Sequence, residues 1–108
     1  MTIKEYSERA ISTATYGWGD SIIYPTLGLN GEAGEVAEKV KKVLRDKYGV
    51  FDEEIKYDMA REIGDIIWYC NALARDIGYS LEEIMDMNIV KLESRKLRGV
   101  ISGSGDNR

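Results

Sequence analysis

Two acidic pairs, Glu32-x-x-Glu35 and Glu62-x-x-Asp65, are the residues of this chain best placed to do chemistry. Three-residue spacing puts both carboxylates of a pair on adjoining parts of one helix face. Two such helices packed together bring four carboxylates to one place, where they repel one another unless cations sit among them. The chain contains no histidine. That removes the usual general base, the Ser-His and Cys-His nucleophiles and the imidazole ligands of most catalytic zinc sites. Hard carboxylate ligands without His or Cys select Mg²⁺, Mn²⁺ or Ca²⁺ over zinc, and no EF-hand loop is present. Mg²⁺ keeps several waters and works with substrate phosphates, so the pairs alone suggest metal-assisted phosphate chemistry.

A glutamate on a helix is usually a solvated residue with a lysine four positions on, and Glu38 with Lys42 fits that description. Glu32 does not. At about 100° per residue it lies about 40° from Val36, inside the apolar stripe, with Glu35 at the stripe's edge about 60° further round. From Ile63 to Ala74 only Asp65 is charged. A helix apolar on nearly all sides is buried on nearly all sides, and an ionised Asp there needs a cation or several donors. Gly28, Gly31, Gly34 and Gly64 interrupt the same two helices, each costing up to about 1 kcal/mol against alanine. Either tight helix packing or the close approach of a ligand accounts for them.

The elements that must hold these groups are helical. Thr2-x-x-Glu5 is a capping box opening a first helix to about Tyr16, with Gly17-Trp18-Gly19-Asp20 punctuating its end and Pro25 closing the connection. A second helix runs from about Thr26 to Tyr48-Gly49, a third from an Asp52 cap to Gly78, and a fourth from the Ser80-x-x-Glu83 box through Leu97. Four helices with short connections and no strand-like alternation predict an all-α, four-helix bundle-like fold, one helical domain over 1–98 with a tail over 99–108. The tail has too little apolar content to form a further element. At 108 residues the core of a monomer is modest, so association is expected. A formal charge of −4 argues against a nucleic-acid polymer as partner. The lone Cys70 forms no internal disulfide, no signal pattern opens the chain, and the apolar run Ile66 to Cys70 is too short for a membrane, so a cytoplasmic protein is expected.

GLNGEAGEVAEKVKK followed by EIGDIIWYCNALA resembles the MazG-like, all-α nucleoside triphosphate pyrophosphohydrolases, whose signature is Glu-x-x-Glu, a spacer, then Glu-x-x-Asp. The likeness runs from Leu27 to Arg108 and includes NIVKLESRKLRG and the closing GSGDNR. It implies Mg²⁺-dependent hydrolysis of an NTP or dNTP to the monophosphate and pyrophosphate, with Mn²⁺ as a possible substitute. Glu32, Glu35, Glu62 and Asp65 would hold the metal, and Glu35 is the preferred group to orient the attacking water's proton. Asn88, Lys91 and Arg95, each one turn apart on helix 4, stand where relatives place phosphate contacts; a solvated face is the competing reading. Tyr69 is a candidate substrate contact against a role in packing. Trp18 is a candidate for stacking on a base against a role in anchoring its turn. Arg98 and Arg108 would reach phosphates if the tail folds over the site, with a disordered tail as the default. Family members assemble as dimers or tetramers, and Trp68, on the far side of helix 3 from Ile63, is expected to help association. A non-enzymatic helical adaptor, or hydrolysis of another phosphoanhydride, is the alternative.

Overall fold

Three of the four helices start where a side chain caps the backbone. A computed structural model describes all 108 residues as α1 (Ile3–Ile11), a 3₁₀ turn (Trp18–Asp20), α2 (Ile23–Asp46), α3 (Glu53–Asp76) and α4 (Leu81–Leu97). Thr2, Asp52 and Ser80 accept from the N–H groups of Glu5, Ile55 and Glu83, satisfying donors that helix starts leave orphaned. α3 and α4 stop at Gly78 and Gly99, both at positive φ. There the Tyr79 and Val100 N–H groups reach back to the carbonyls of Ala74 and Arg95, the six-to-one closure that glycine permits.

Two boundaries differ from the sequence expectation. α1 ends at Ile11, well before Tyr16, because the Ser12 and Thr13 hydroxyls donate to the Arg9 and Ala10 carbonyls and compete with a further turn. α2 begins at Ile23, so Pro25 lies buried in its first turn, where the missing N–H has no intrahelical acceptor to lose. Ahead of it Ile22 sits at φ 69°, an unusual conformation for a β-branched residue.

α2 packs along α3 as an antiparallel hairpin: Gly28 meets Tyr69, Glu32 lies beside Asp65, and Lys39 lies beside Glu62. α1 and α4 pack on α3 and on each other. Asn71 is fully buried, accepting from the Ser7 hydroxyl and donating to the Ser7 carbonyl at 3.1 Å, which pins α1 to α3. Trp68 is taken up in the same joint. Its indole N–H donates to Thr13 Oγ1 at 2.9 Å and Ala10 O at 3.1 Å, so α1 and the residues just after it hold its polar edge.

The frame is open. Its radius of gyration is 16.9 Å, whereas a compact chain of this length has about 13 Å. Its accessible surface is 8041 Å², against about 6,100 Å² for a folded monomer of this mass. Ile63, Ile67, Met87, Val90 and Leu97 are among the apolar side chains left exposed. No helix is long and apolar enough to cross a membrane.

Candidate active site

The hairpin brings three of the four sequence-picked carboxylates to one point. Glu32 from α2 and Glu62 and Asp65 from α3 place ligand oxygens within 4.8 Å of one another. Their positions follow from the antiparallel register, since Glu62 and Asp65 share a face of α3 that α2 covers at Glu32. Glu35 lies outside this triad, one turn along α2 and exposed, though its charge still reaches Glu32. Glu32 titrates above the ordinary glutamate value, first because it shares a hydrogen bond with Glu62, then through burial and the negative charges of Asp65, Glu62 and Glu35. Two carboxylates share a proton only when cations are too few to keep both ionised. All donors are hard oxygens, so the set fits a divalent cation such as Mg²⁺ or Mn²⁺.

The surroundings are asymmetric. On one side a cavity of about 130 Å³ is lined by Lys39, Asp58, Arg61, Glu62 and Asp65. Lys39 Nζ lies 3.6 Å from Glu62 Oε1 and is the one cation paired with the cluster. On the other side a cavity of about 300 Å³ is lined by Glu32, Asp65, Trp68 and Tyr69. The Tyr69 ring lies across Gly28, where a Cβ would overlap it, so this glycine is required by an aromatic contact. Beside Gly31, Gly34 and Gly64 a Cβ would meet nothing within 4 Å, so packing inside the chain explains none of them. Tyr69 continues into a line of rings: Tyr24 at 6.3 Å, then Tyr16 stacked on Tyr24 at 5.1 Å. The Tyr69 phenol is raised by burial, then by Tyr24, Glu32 and Asp65; Tyr6 is raised by burial and then by Asp65, which puts an α1 hydroxyl near the cluster too.

Of the other expected residues, Asn88, Lys91, Arg95 and Trp18 are not in the triad and line neither cavity beside it. Lys91 Nζ donates to Asp106 Oδ1 at 2.9 Å, and Arg95, buried, donates to the Asp106 carbonyl and carboxylate. Asn88 is exposed one turn before Lys91. The tail is ordered against α4: Arg108 donates to the carbonyls of Val100, Ile101 and Gly105, and Arg98 donates to the Arg108 carbonyl at 2.8 Å. Trp18 is 95% exposed. Lys39, Tyr6 and Tyr24 were not singled out from the sequence; Lys39 was findable, seven residues after Glu32 on the same stripe, whereas the tyrosines depend on how α1 and the α1–α2 connection fold back.

A model of the MazG nucleotide pyrophosphohydrolase domain matches residues 25–99, a span that holds α3, α4, nearly all of α2 and the four acidic residues of the two pairs. The chain belongs to this family. It is a MazG-like hydrolase that acts through a metal-coordinating active site. It is also similar to the Gene 37 protein of Mycobacterium phage L5, 48% identical over the whole of both chains. No solved structure matches it. The MazG match leaves out α1 and the connection to α2, so Tyr6, Tyr16, Trp18 and Tyr24 lie outside the matched segment.

Proposed function

We propose that this chain hydrolyses a nucleoside or deoxynucleoside triphosphate to the monophosphate and pyrophosphate with Mg²⁺. The observation that carries the reading is the crowding of Glu32, Glu62 and Asp65 with too few cations beside them. Glu32, Glu62 and Asp65 hold the metal, with Glu35 adjoining. Bound there, Mg²⁺ supplies positive charge against the phosphate oxygens and lowers the pKa of a water. Glu35, exposed and outside the triad, would accept the proton of the water whose oxygen attacks the α-phosphorus. Lys39 and Arg61 face the departing pyrophosphate from the smaller cavity. Tyr69 and the rings beyond it form the wall against which the nucleoside lies. Asn88, Lys91 and Arg95 join as phosphate contacts when Asp106 releases the two cations.

The working form is a homodimer or tetramer in the cytoplasm, with residues 1–98 as the catalytic domain and 99–108 as its tail. The support is the surface excess of roughly 2,000 Å² over a folded monomer of this mass, which matches the share of one subunit in an obligate interface. The acidic balance and the crowded carboxylates disfavour a nucleic-acid polymer.

The test is a panel of NTPs and dNTPs with Mg²⁺, reading monophosphate and pyrophosphate with and without chelator, alongside sedimentation of the protein. Pyrophosphate release that chelator abolishes is expected. Release of orthophosphate instead, or turnover that survives chelator, would sink the reading.

A further inference from the structure

Among the cavities left unused by that chemistry, one lies beside the connection that leads into α2. A space of about 230 Å³ is lined by Ala14, Tyr16, Gly17, Trp18, Ser21 and Asp76. Three features mark it as built for a planar polar ligand.

The first is Trp18. At 95% exposure it packs on nothing in the chain, so it does not anchor its turn. Leaving so large an aromatic side chain in water at a cavity wall makes sense when a flat partner covers it.

The second is Asp76. Its Oδ2 accepts from the Tyr16 hydroxyl at 3.0 Å and from the Ile22 N–H at 2.9 Å. Its other oxygen makes no hydrogen bond, and no Lys or Arg pairs with the carboxylate. The same contact holds Ile22 in its strained conformation, so the loop is fastened around this side chain. Tyr16 is pushed up to about 12 by burial and then by Asp76, so its hydroxyl keeps its proton and stays a donor. One oxygen of Asp76 is therefore fully used and the other is a free acceptor.

The third is position. Asp65, Tyr69 and Asp76 stand at i, i+4 and i+11 on one face of α3, and the eleven residues from Asp65 to Asp76 rise about 16 Å. The rings of Tyr69, Tyr24 and Tyr16 bridge that interval in steps of 6.3 and 5.1 Å. An extended nucleotide with its phosphates at the carboxylates spans such a distance with its base at Asp76.

We propose that this cavity is the nucleobase subsite, with Trp18 as the stacking plane, and that the free oxygen of Asp76 selects bases bearing an exocyclic amino group over uracil and thymine. The inference rests on the triphosphate reading above. Cytosine, adenine and guanine offer the carboxylate an N–H₂ that projects from the ring edge, whereas uracil and thymine set a carbonyl oxygen there and their N3–H is recessed between two carbonyls that the carboxylate repels. A site built to bond a projecting donor disfavours the analogue that sets an acceptor there, because the half-buried carboxylate would lose water to the bound base and stay unpaired.

The experiment compares kcat/KM for dATP, dCTP and dGTP with that for dTTP and dUTP in the wild type and in Asp76→Asn. The Asn oxygen can keep accepting from Ile22 and Tyr16 while its amide N–H₂ replaces the free acceptor, so the loop stays fastened and only the exposed polarity reverses. The wild type is expected to prefer the amino bases. In Asp76→Asn the amino-to-oxo ratio should fall by roughly tenfold or more. Trp18→Ala, which removes a side chain with no internal partner, should raise KM for every base by roughly tenfold. If Asp76→Asn does not fold, the wild-type preference and the Trp18→Ala KM decide together. Triphosphate hydrolysis with no base preference, or with a preference and KM that these variants leave unchanged, overturns this inference and leaves the pyrophosphohydrolase reading standing. Absence of triphosphate hydrolysis in the wild type defeats both.

Discussion

On α2 and α3, Glu32, Glu62 and Asp65 crowd within 4.8 Å with one lysine beside them at 3.6 Å, and Glu32 is raised above the ordinary glutamate value by its hydrogen bond with Glu62, then by burial and the neighbouring negative charges. On α4 and the tail, the Asp106 carboxylate meets Lys91 and Arg95 at 2.9 and 3.2 Å and is held below the ordinary aspartate value by those two cations, Lys91 first. The first region stores repulsion and the second has discharged it. Folding selects against uncompensated like charges unless a ligand later compensates them, so the badly paired cluster is the one to read as a binding site. Paired charge, however conspicuous in the sequence, serves structure until something displaces its partner.

The largest way to break this contrast is at Asp65. Asp65→Asn should lower kcat/KM by roughly 10³-fold, and the heat-denaturation midpoint should no longer rise with Mg²⁺. In the intact protein, saturation at a hundred times Kd should contribute about 2.7 kcal/mol, roughly ten degrees or more for a domain of this size. Glu35→Gln separates the roles within the acidic series. It should cut turnover by roughly 10²-fold while preserving the metal-induced shift, because Glu35 stands outside the triad. A variant that loses both would move Glu35 into the ligand set.

Stability against pH sharpens the comparison with opposite signs. The folded pKa of Glu32 is raised, so the folded state binds more protons than the unfolded state between the ordinary glutamate value and the raised one. Without metal, stability should therefore increase as pH falls through that window, and Glu32→Gln should remove the increase. The folded pKa of Asp106 is lowered, so its contribution is present above the ordinary aspartate value and is lost as pH falls through the lowered one. Denaturation midpoints measured from strong acid, below the ordinary aspartate value, up to neutrality, with chelator and then with excess Mg²⁺, separate the two. Metal should flatten the Glu32 component and leave the Asp106 component untouched.

What the sequence made legible was what neighbours along one helix decide. Thr2, Asp52 and Ser80 cap as read because a cap involves only residues three apart, and the i, i+3 acidic pairs fall on shared faces for the same reason. What stayed hidden required knowing which helix meets which. Gly28 needs to be glycine because Tyr69 lies on it from another helix, and the partners of the Trp68 indole, Ala10 O and Thr13, come from a segment more than fifty residues away. Asp76 attracted no notice because an Asp in a last helical turn has no local signature, and only folding brings Tyr16 and Ile22 onto one of its oxygens.

The smallest expected effect lies in the paired region and concerns what its pairing withholds. Asp106 is 78% exposed, so its ion pairs are screened by solvent and contribute little to stability. Asp106→Ala should lower the denaturation midpoint by a few degrees at most. It also frees Lys91 and leaves Arg95, whose Nε is already without an acceptor, with a charge 8% exposed and no counterion. A guanidinium in that state gains from any incoming phosphate oxygen. KM for the triphosphate should therefore fall severalfold in Asp106→Ala, with a steeper dependence on ionic strength because two screened cations now meet an anion. If KM holds while the midpoint drops, Lys91 and Arg95 belong to the tail's architecture alone, and the phosphate is met by Lys39 and Arg61 from the hairpin that carries the carboxylates.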